Sequence, residues 1–319
     1  MQPRLAFSLT QLEYVLALHK YGHFAKAAQM CHVTQPTLSM QIQKLEEQLG
    51  TPLFDRSKKP ILLTEAGKRV IEQIRNVVFE SNKIETMIQH FETEEPQGDL
   101  NLAIIPTIAP YILPRVLPLL ETLAPKLNFH ILEMHTDQIV AALDEDEIDV
   151  GLLATPLGLS RLYEEPIFYE PFAIFCHKNH ALAHSKQIGY RDLKYQDIWL
   201  LNEGHCLRDQ VLDICALRDK GNSNPQFRFE SGSLETLKRI VNSYGGYTLL
   251  PELALDALGS KTQVIRFKKP IPGREVGLVY RRKHHKIDLI RLLAKALNKC
   301  IPKTLKSIEK KDLDVIPVQ

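Results

Sequence analysis

Residues 24–50 read FAKAAQMCHVTQPTLSMQIQKLEEQLG, and this stretch decides the fold of the N-terminal region. It predicts a short helix over Phe24–Cys31 with its alanines inward, followed by a tight turn at His32–Val33. Thr34 is a typical N-cap, and Pro36 lies in the first helical turn, where its missing N–H costs nothing. The buried face of the second helix repeats at helical spacing: Leu38, Ile42, Leu45 and Leu49. Two helices joined in this way have the geometry of a helix-turn-helix.

The flanking sequence extends this motif on both sides. Before it, apolar residues at helical spacing predict another helix over Leu9–Leu18. After it, Leu53–Phe54 and Ile61–Leu63 flank a basic stretch over Asp55–Pro60. These segments predict a hairpin that serves as a wing beside the helices.

Polar residues at the start of the second helix are the candidates for DNA contact. A recognition helix reads base edges from its N-terminal end, where short hydroxyl and amide side chains fit. These residues are Thr34, Gln35, Pro36, Thr37, Ser39 and Gln41. On the wing, Arg56, Lys58 and Lys59 are placed to meet backbone phosphates without reading sequence. The alternative for this region is a small helical bundle for protein contacts.

The net charge of +2 conceals an uneven distribution along the 319 residues. Charged side chains give +3 over 1–60, zero over 61–91, −12 over 92–260 and +11 over 261–319. Because an acidic surface repels a polyanion, we expect nucleic acid at the N-terminal segment, although on charge alone the C-terminal segment also qualifies. An N-terminus without a long apolar segment, few cysteines and no apolar run of about 18 residues predict a cytoplasmic protein that does not enter a membrane.

One long helix is predicted over Thr64–Phe91. Seven of its positions recur at alternating spacings of four and three residues, and all but Ser81 are apolar: Val70, Ile74, Val77, Ser81, Ile84, Ile88 and Phe91. This pattern is a heptad seam on a helix about 42 Å long. A seam of this length on an otherwise polar helix predicts a dimer through the same helix of a second chain. The alternative is packing against the chain's own body.

Beyond a linker at Pro96–Gly98, candidate strands and helices alternate, which favours parallel α/β layers. The predicted strands are Asp99–Ile105, Asn128–Met134, Val150–Leu153, Phe172–Cys176 and Ile198–Leu201. The predicted helices are Tyr111–Leu123, Gln138–Leu143, Leu207–Arg218, Ser233–Tyr244 and Ile287–Lys299. After Cys300 the chain is rich in lysine and is expected to be loose.

Two cysteines lie on one of these predicted helices. Gly204 can release the chain into a helix, on which Leu207, Val211 and Cys215 share one face. Cys206 then stands at the helix start, with its Cα atom about 13 Å from that of Cys215. Because a disulfide needs Cα atoms within about 7 Å, the two thiols can bond only if the helix unwinds. Such an arrangement has the physical form of a redox switch.

The helix-turn-helix stretch resembles a known family. Ala27–Ser39, continued by Gln41–Ile42, Leu45–Glu46, Leu49–Gly50 and Leu53–Arg56, is similar to the LysR-type transcriptional regulators. The resemblance covers essentially the whole chain and implies an α+β multidomain protein that is not an enzyme. It implies a winged helix-turn-helix over 1–63, a dimerisation helix over 64–95 and a two-lobed α/β sensor domain of periplasmic-binding-protein type over 96–305. Lobe I comprises about 96–165 and 270–305, lobe II about 166–269, and a basic tail covers 306–319. The implied assembly is a homotetramer, a dimer of dimers, that binds double-stranded promoter DNA and contacts RNA polymerase.

Within that family, Gly204–Gln210 followed by Cys215 resembles the hydrogen-peroxide sensors. The resemblance implies that Cys206 is the peroxidatic cysteine and Cys215 the resolving one. Elementary chemistry agrees, because a helix start favours a thiolate, Arg208 adds positive charge and His205 can donate a hydrogen bond. Cys215 has apolar neighbours in the sequence, which predicts a buried and unreactive thiol.

The same resemblance places Thr107 and Thr136 in the peroxide pocket. Their hydroxyls could orient hydrogen peroxide and stabilise the leaving hydroxide. Asp209, in the first helical turn, favours the helix dipole and is a candidate tether for Arg208 or His205.

Three departures from the family pattern concern this pocket. Lys238 stands where arginine is expected, Gln226 where some members have histidine, and Arg228–Gly232 is longer than the pattern. They motivate an alternative, a LysR-type regulator that binds a small organic effector between its lobes without using its thiols. A thiol peroxidase is a further alternative, although it leaves the DNA-binding segment without a role.

No metal site or cofactor is predicted. The spacing of His177, His180 and His184 permits a metal ion but is also common in polar turns. The sequence contains no G-x-S-x-G, P-loop or G-x-G-x-x-G motif, so neither a hydrolase nor a nucleotide site is indicated. The remaining cysteines, Cys31, Cys176 and Cys300, lack the surroundings of a reactive thiol.

Overall fold

The structure is a computed structural model that describes residues 7–92, 96–193, 197–215, 231–255, 261–282, 284 and 286–318, with the backbone alone for Lys83 and residues 85–92. The chain divides into two compact units, Met1–Glu94 and Glu95–Gln319. Within the described ranges, no helix combines the length and the apolar character needed to cross a bilayer.

The N-terminal unit has the predicted three helices and wing. They are α1 Leu9–Tyr21, α2 Phe24–Met30 and α3 Gln35–Leu49, with strands β1 Phe54–Asp55 and β2 Leu62–Leu63. The Thr34 hydroxyl accepts a hydrogen bond from the Thr37 N–H and so caps α3, as predicted. Gly50 ends that helix in the left-handed conformation, at φ +69°. The two short strands pair antiparallel, which confirms the wing.

A long helix, α4, follows the wing over Glu65–Glu92. Ile71 and Ile74 are buried in the core of the N-terminal unit, together with apolar residues of α1 and α3. Val70 and Ile84, by contrast, are exposed. Part of the predicted heptad seam is therefore used within the unit itself. Exposed Val70 and Ile84 leave room for a partner helix, whereas the side chains of Ile88 and Phe91 lie outside the described residues. The dimer stays a prediction.

The second unit is built on one mixed sheet. Its elements are β3 Gln97–Ile104, α5 Ala109–Leu123, β4 Lys126–Glu133, α6 Thr136–Asp144, β5 Val150–Thr155, β6 Leu162–His177, β7 Gln187–Ile188, α7 Cys206–Ile214, α8 Leu234–Ser243, β8 Tyr247–Pro251, β9 Thr262–Phe267, β10 Pro272–Arg281, α9 Ile287–Cys300, α10 Lys303–Lys306 and β11 Asp314–Val315. The strand order is β4-β3-β5-β10-β6-β9-β7, with β8 on β6 and β11 on β10.

The prediction of parallel layers is confirmed for one part of the sheet and wrong for the other. Strand β3 pairs in parallel with β4 and β5, but β10 pairs antiparallel with both β5 and β6. The predicted strand at Ile198–Leu201 is also wrong, since only Ile198 forms an isolated bridge there. Strand β6 starts ten residues before the predicted Phe172, because long-range pairing with β10 extends it.

Two separate hydrophobic cores lie along this sheet. One is formed mainly by β3, β5, α5, α6 and α9, and the other by the second half of β6 with α7, α8, β8 and β9. Strand β6 connects the two, because its first half contributes to the first core and its second half to the other, while β10 beside it contributes to the first core.

The segment after Cys300 differs from the loose tail that the sequence predicts. It forms α10, buries Leu305 and then adds β11 to β10 in parallel register. The reason is long-range: an apolar residue and a short strand find partners that are distant in sequence, and a lysine-rich composition does not show this.

Candidate functional site

Helix α7 carries the cysteine pair. Gly204 has φ +92°, a left-handed backbone that would strain any side chain, and it turns the chain into the helix. His205 is the N-cap and Cys206 the first helical residue. The helix ends at Ile214 and Cys215 caps it. The predicted helix is thus confirmed at its start, while its predicted end at residue 218 lies outside the described residues.

The two sulfurs belong to different cores. Cys206 packs in the first core and Cys215 in the second, and each residue is only 7% exposed. Both are free thiols. The rise of an α-helix puts their Cα atoms about 13 Å apart, against the roughly 7 Å that a disulfide allows. A bond between them therefore requires α7 to unwind and one sulfur to leave its core.

Burial raises the pKa of the Cys206 thiol. The positive charge of Arg274, the hydroxyl of Thr136 and the backbone N–H of Leu207 act in the opposite direction, and the carboxylate of Asp209 adds to the rise. The sequence led us to expect a lowered pKa at a helix start. The pKa is raised instead, because the hydration lost on burial outweighs the favourable effect of the helix terminus. The resting sulfur is therefore a thiol beside groups that favour the thiolate.

Cys215 has a plainer environment. Burial raises the pKa of its thiol to about 12. At neutral pH this sulfur is protonated and packed among apolar side chains, including Val211 and Ile214 of its own helix.

The positive charge of Arg274 favours the Cys206 thiolate, and the sequence analysis did not select this residue. Its side chain is fully buried and forms an ion pair with the equally buried Glu170, with Nε donating to Oε1 at 2.7 Å. Nη1 donates to the Thr107 hydroxyl at 2.9 Å, and Nη2 to the Thr107 carbonyl at 3.2 Å. Arg274 on β10 and Glu170 on β6 thus hold Thr107, which follows β3. The only sequence signal was a charged residue inside an apolar strand.

Arg208, the cation that the sequence favoured, is turned away. Its Nη1 donates to the Leu201 carbonyl at 2.9 Å, which braces the loop before α7. Asp209 stands in the first turn of α7, and its charge opposes ionisation of Cys206. The positive charge that favours the Cys206 thiolate is therefore that of Arg274, while Arg208 is bound at Leu201, because helical geometry points successive side chains in different directions.

A group of buried polar atoms lies around His205, the residue before Cys206. Four of them have no hydrogen-bond partner among the described residues: Nδ1 of His135, Oγ1 of Thr136, Oδ1 of Asn202 and Nε2 of His205. The Thr136 hydroxyl is close enough to Cys206 to favour its thiolate but does not form a well-aligned hydrogen bond. The rings of His135 and His205 meet edge to face, with centroids 4.4 Å apart.

Unpaired buried polar atoms are costly unless a small polar molecule can use them. This group offers two imidazole nitrogens, an amide oxygen and a hydroxyl, and the hydroxyl of Thr136 acts on the Cys206 thiol together with the buried Arg274. Such a setting suits a small molecule with both donors and acceptors. His135 and Asn202 were missed by the sequence analysis, since nothing local distinguishes them.

Lys238, the main departure from the family pattern, is partnered. Its Nζ donates to Glu235 Oε1 at 2.9 Å, and the Tyr111 hydroxyl donates to the same oxygen at 2.8 Å. Tyr111 packs against both cores, so this cluster lies where they meet. Because the Lys238 ammonium is already paired with Glu235, it does not favour binding of an anionic effector at this cluster. Gln226 and residues 228–230 lie outside the described residues.

The candidate DNA-contacting residues divide into two groups. Thr34, Gln35, Pro36, Lys58 and Lys59 are exposed, and Thr37 and Ser39 are half-buried at the start of α3. Gln41 is instead tied to α1, because its Oε1 accepts from Gln11 Nε2 at 3.1 Å. Arg56 donates to Glu46 at 2.7 Å, and its guanidinium lies over the Phe24 ring. These last two side chains hold the unit together as well as, or instead of, contacting DNA.

Comparison with known sequences identifies both units. Residues 9–68 match the profile of the bacterial regulatory helix-turn-helix proteins of the lysR family, and residues 93–300 match the LysR substrate binding domain. The chain belongs to the LysR family. This is a family of DNA-binding transcription regulators, which is not a class of enzymes.

Particular members of the LysR family are similar to this chain over most of its length. It is 37% identical to the DNA-binding transcriptional dual regulator OxyR of Escherichia coli K12, over 86% of this chain and 89% of that protein. It is 36% identical to a hydrogen peroxide-inducible genes activator of Dickeya chrysanthemi over the same shares. Among solved structures, a full-length Cys-to-Asp variant of OxyR from Pseudomonas aeruginosa is 31% identical, with a TM-score of 0.77 over 96% of this chain and 99% of that one.

The histidine beside Cys206 is expected to make the stability of the second unit depend on pH. Burial lowers the pKa of His205 to about 4, and His135 contributes to the shift. The pKa of a histidine in the unfolded chain is about 6.5. As the pH falls from about 6.5 to about 4, the unfolded chain therefore binds a proton while His205 in the folded chain stays neutral, and the free energy of unfolding falls. We expect a loss of up to about 3 kcal/mol in the free energy of unfolding between about pH 7 and pH 4 from this group.

Urea unfolding at a series of pH values measures this loss. His205→Asn is expected to flatten the pH dependence, whereas the matched variant of an exposed histidine, His184→Asn, leaves it unchanged. An unchanged slope in His205→Asn contradicts the assignment.

The possible metal ligands of this LysR-family protein are dispersed. In the ranges that the structure describes, no group of histidine, cysteine and carboxylate side chains has an arrangement able to hold a metal ion. Nδ1 of His177 and of His180 accept hydrogen bonds from the N–H groups of Asn179 and Leu182, as is typical of turns.

Proposed function

We propose that this LysR-family protein senses hydrogen peroxide with Cys206 and that Cys215 resolves the oxidised sulfur. The setting of the Cys206 thiol carries the proposal, since it is buried, near Arg274 and next to unpaired polar atoms. Similarity to proteins named hydrogen peroxide-inducible genes activators supports the choice of oxidant. A Corynebacterium glutamicum OxyR variant with hydrogen peroxide bound has the same fold at 28% identity and a TM-score of 0.59.

The first chemical step is displacement at peroxide oxygen. The Cys206 thiolate attacks one oxygen, the O–O bond breaks, and the sulfur becomes a sulfenic acid. The proton released by the thiol ends on the departing hydroxide, which leaves as water. Arg274 favours the thiolate, and the hydroxyls of Thr107 and Thr136 are the candidates for stabilising the leaving oxygen.

In the second step the Cys215 sulfur attacks the sulfenic sulfur, a disulfide forms and a second water leaves. One peroxide is reduced to two waters, and the two thiols supply the two electrons. Because the residues start in different cores about 13 Å apart, this step forces α7 to unwind. The disulfide therefore traps a rearranged sensor unit rather than adding a crosslink to the resting one.

The output of this switch is the N-terminal unit. We propose that the chain is organised as a winged helix-turn-helix over 1–63, a dimerisation helix over 64–95, a two-lobed sensor over 96–305 and a basic tail over 306–319. Exposed Thr34, Gln35 and Lys58 support contact with promoter DNA, and exposed Ile84 on α4 supports a dimer. Assembly into a dimer of dimers and contact with RNA polymerase complete the proposal.

Peptide mass mapping after peroxide treatment tests the proposal. Reduced full-length protein is treated with up to equimolar hydrogen peroxide, alkylated, digested without reductant and compared with an untreated sample. We expect one linked peptide pair, Cys206 with Cys215, and Cys31, Cys176 and Cys300 in the alkylated form. Absence of the linked pair while other oxidation products accumulate would remove the disulfide mechanism.

A further inference from the structure

The C-terminal segment is attached to the helix that carries both cysteines. Strand β11 pairs with β10, with Asp314 opposite Pro272 and Val315 opposite Gly273. The Asp314 N–H donates to the Ile271 carbonyl at 2.8 Å, and the Ile316 N–H to the Gly273 carbonyl at 2.9 Å. This short strand thus lies against the start of β10, immediately before Arg274.

One hydrogen bond links this segment to α7. Gln210 is fully buried in the middle of the helix, and its Nε2 donates to the Ile316 carbonyl at 2.8 Å. The other atom of the amide, Oε1, is buried without a partner among the described residues. Gln210 lies between Cys206 and Cys215, in the segment that must unwind before they can bond.

The same segment spans both cores. Ile316 packs against the core that holds Cys215, and Val318 against the core that holds Cys206. Close approach to β10 depends on Gly273, where a Cβ atom would lie 2.6 Å from Leu313 Cδ1. The Tyr190 hydroxyl adds a hydrogen bond to Asp314 at 2.7 Å.

Val318 also borders a cleft that contains Thr136. Together with Thr136, Val140 and Leu157 it lines a cleft of about 450 Å³. The segment that is bonded to α7 therefore also forms one wall of a cleft that reaches Thr136, a neighbour of Cys206.

We propose that residues Leu313–Val318 form a strap that holds α7 in its helical form and so sets the peroxide dose at which the switch converts. This rests on the proposed function. Unwinding α7 displaces Gln210, so the bond to Ile316 must break and the packing of the strap must be disturbed. Gln210 is a positioning residue, which acts on the sulfurs through the helix. The strap lies beyond the stretch that matches the family profile, which ends at residue 300.

Pulsed alkylation of the reduced full-length protein tests the strap without peroxide. N-ethylmaleimide labels a buried thiol only when its surroundings open, and mass mapping reports each cysteine separately. Gln210→Met removes the donor and keeps the length of the side chain. We expect about fivefold faster labelling of Cys206 and Cys215, the factor that one net hydrogen bond makes in an equilibrium.

A chain ended after Leu313, which removes β11, is expected to show a larger increase at the same two cysteines. Leu212→Met is the matched control, because it places the same side chain on the same helix and keeps the hydrogen bond from Gln210 to the strap. Cys176, fully buried on β6 in the core that also holds Cys215, is the internal reference for global unfolding.

Both perturbations are also expected to lower the peroxide dose that gives half-maximal formation of the 206–215 disulfide. Unchanged labelling of Cys206 and Cys215 in Gln210→Met and in the shortened chain overturns the strap. Labelling that rises equally at Cys176 also overturns it, since that result indicates general destabilisation. Faster labelling of the pair without any disulfide after peroxide upholds the strap and rejects the proposed function.

Discussion

Serine in place of Cys206 is expected to abolish disulfide formation and the transcriptional response to hydrogen peroxide. Serine is close to cysteine in size, so the buried position at the start of α7 remains filled. Its hydroxyl is not oxidised by peroxide, and no second thiol shares the setting near Arg274. The measurements are peptide mapping of the purified variant and reporter transcription in cells treated with peroxide.

The other cysteines provide the comparison. Cys176→Ser and Cys300→Ser are expected to keep the full response, since Cys176 lies on β6 and Cys300 at the end of α9, away from the helix that carries the proposed switch. In Cys215→Ser, oxidation is expected to stop at the sulfenic acid of Cys206, which reaction with dimedone detects. A normal reporter response in Cys206→Ser would place peroxide sensing elsewhere in the chain.

Arg274→Met is expected to cost about 3–5 kcal/mol of unfolding free energy, the usual effect of removing one partner from a buried ion pair. Its partner, Glu170, has a fully buried side chain and would be left without its cation. The Thr107 hydroxyl and carbonyl lose their donors at the same time. Urea unfolding measures the loss, and oxidation of Cys206 by peroxide is expected to slow because its thiolate loses the nearby charge.

An exposed ion pair of the same type is the control. Arg266→Met breaks the surface pair with Glu252 and is expected to cost no more than about 1 kcal/mol. Combining Arg274→Met with Glu170→Gln removes the uncompensated carboxylate, so much of the stability should return while Cys206 stays slow. Recovery of both stability and thiol reactivity in the double variant would show that Arg274 acts on the fold alone.

Local signals in the sequence were enough to predict the N-terminal unit and the position of Cys206 at the start of α7. Thr34, Pro36 and Gly50 set the ends of α3 through capping and turn chemistry that involve only neighbouring residues. Gly204 and the apolar spacing after it fixed where α7 begins in the same way. The heptad pattern predicted α4 but not that Ile74 packs within its own unit, because an apolar face does not specify what will cover it.

The environment of the sulfur was decided by the tertiary structure. Arg274 lies far along the chain from Cys206 and reaches it only because β10 returns antiparallel beside β6, where Glu170 holds the guanidinium. Arg208, two residues from Cys206, was the natural choice from the sequence, yet its side chain is bound to Leu201. The strap was missed for the same reason. Its composition predicted a loose tail, whereas the Ile316 carbonyl accepts a hydrogen bond from Gln210 Nε2.

The sequence by itself therefore determined the helix-turn-helix, the wing and the helix that separates the two thiols, because hydrogen bonds within a helix or a tight turn depend on residues a few positions apart. The charge next to Cys206, the division of the thiols between two cores and the attachment of the C-terminal segment depended on strand pairing across the sheet. Such pairing joins residues distant in sequence, and no local periodicity specifies which strands will meet.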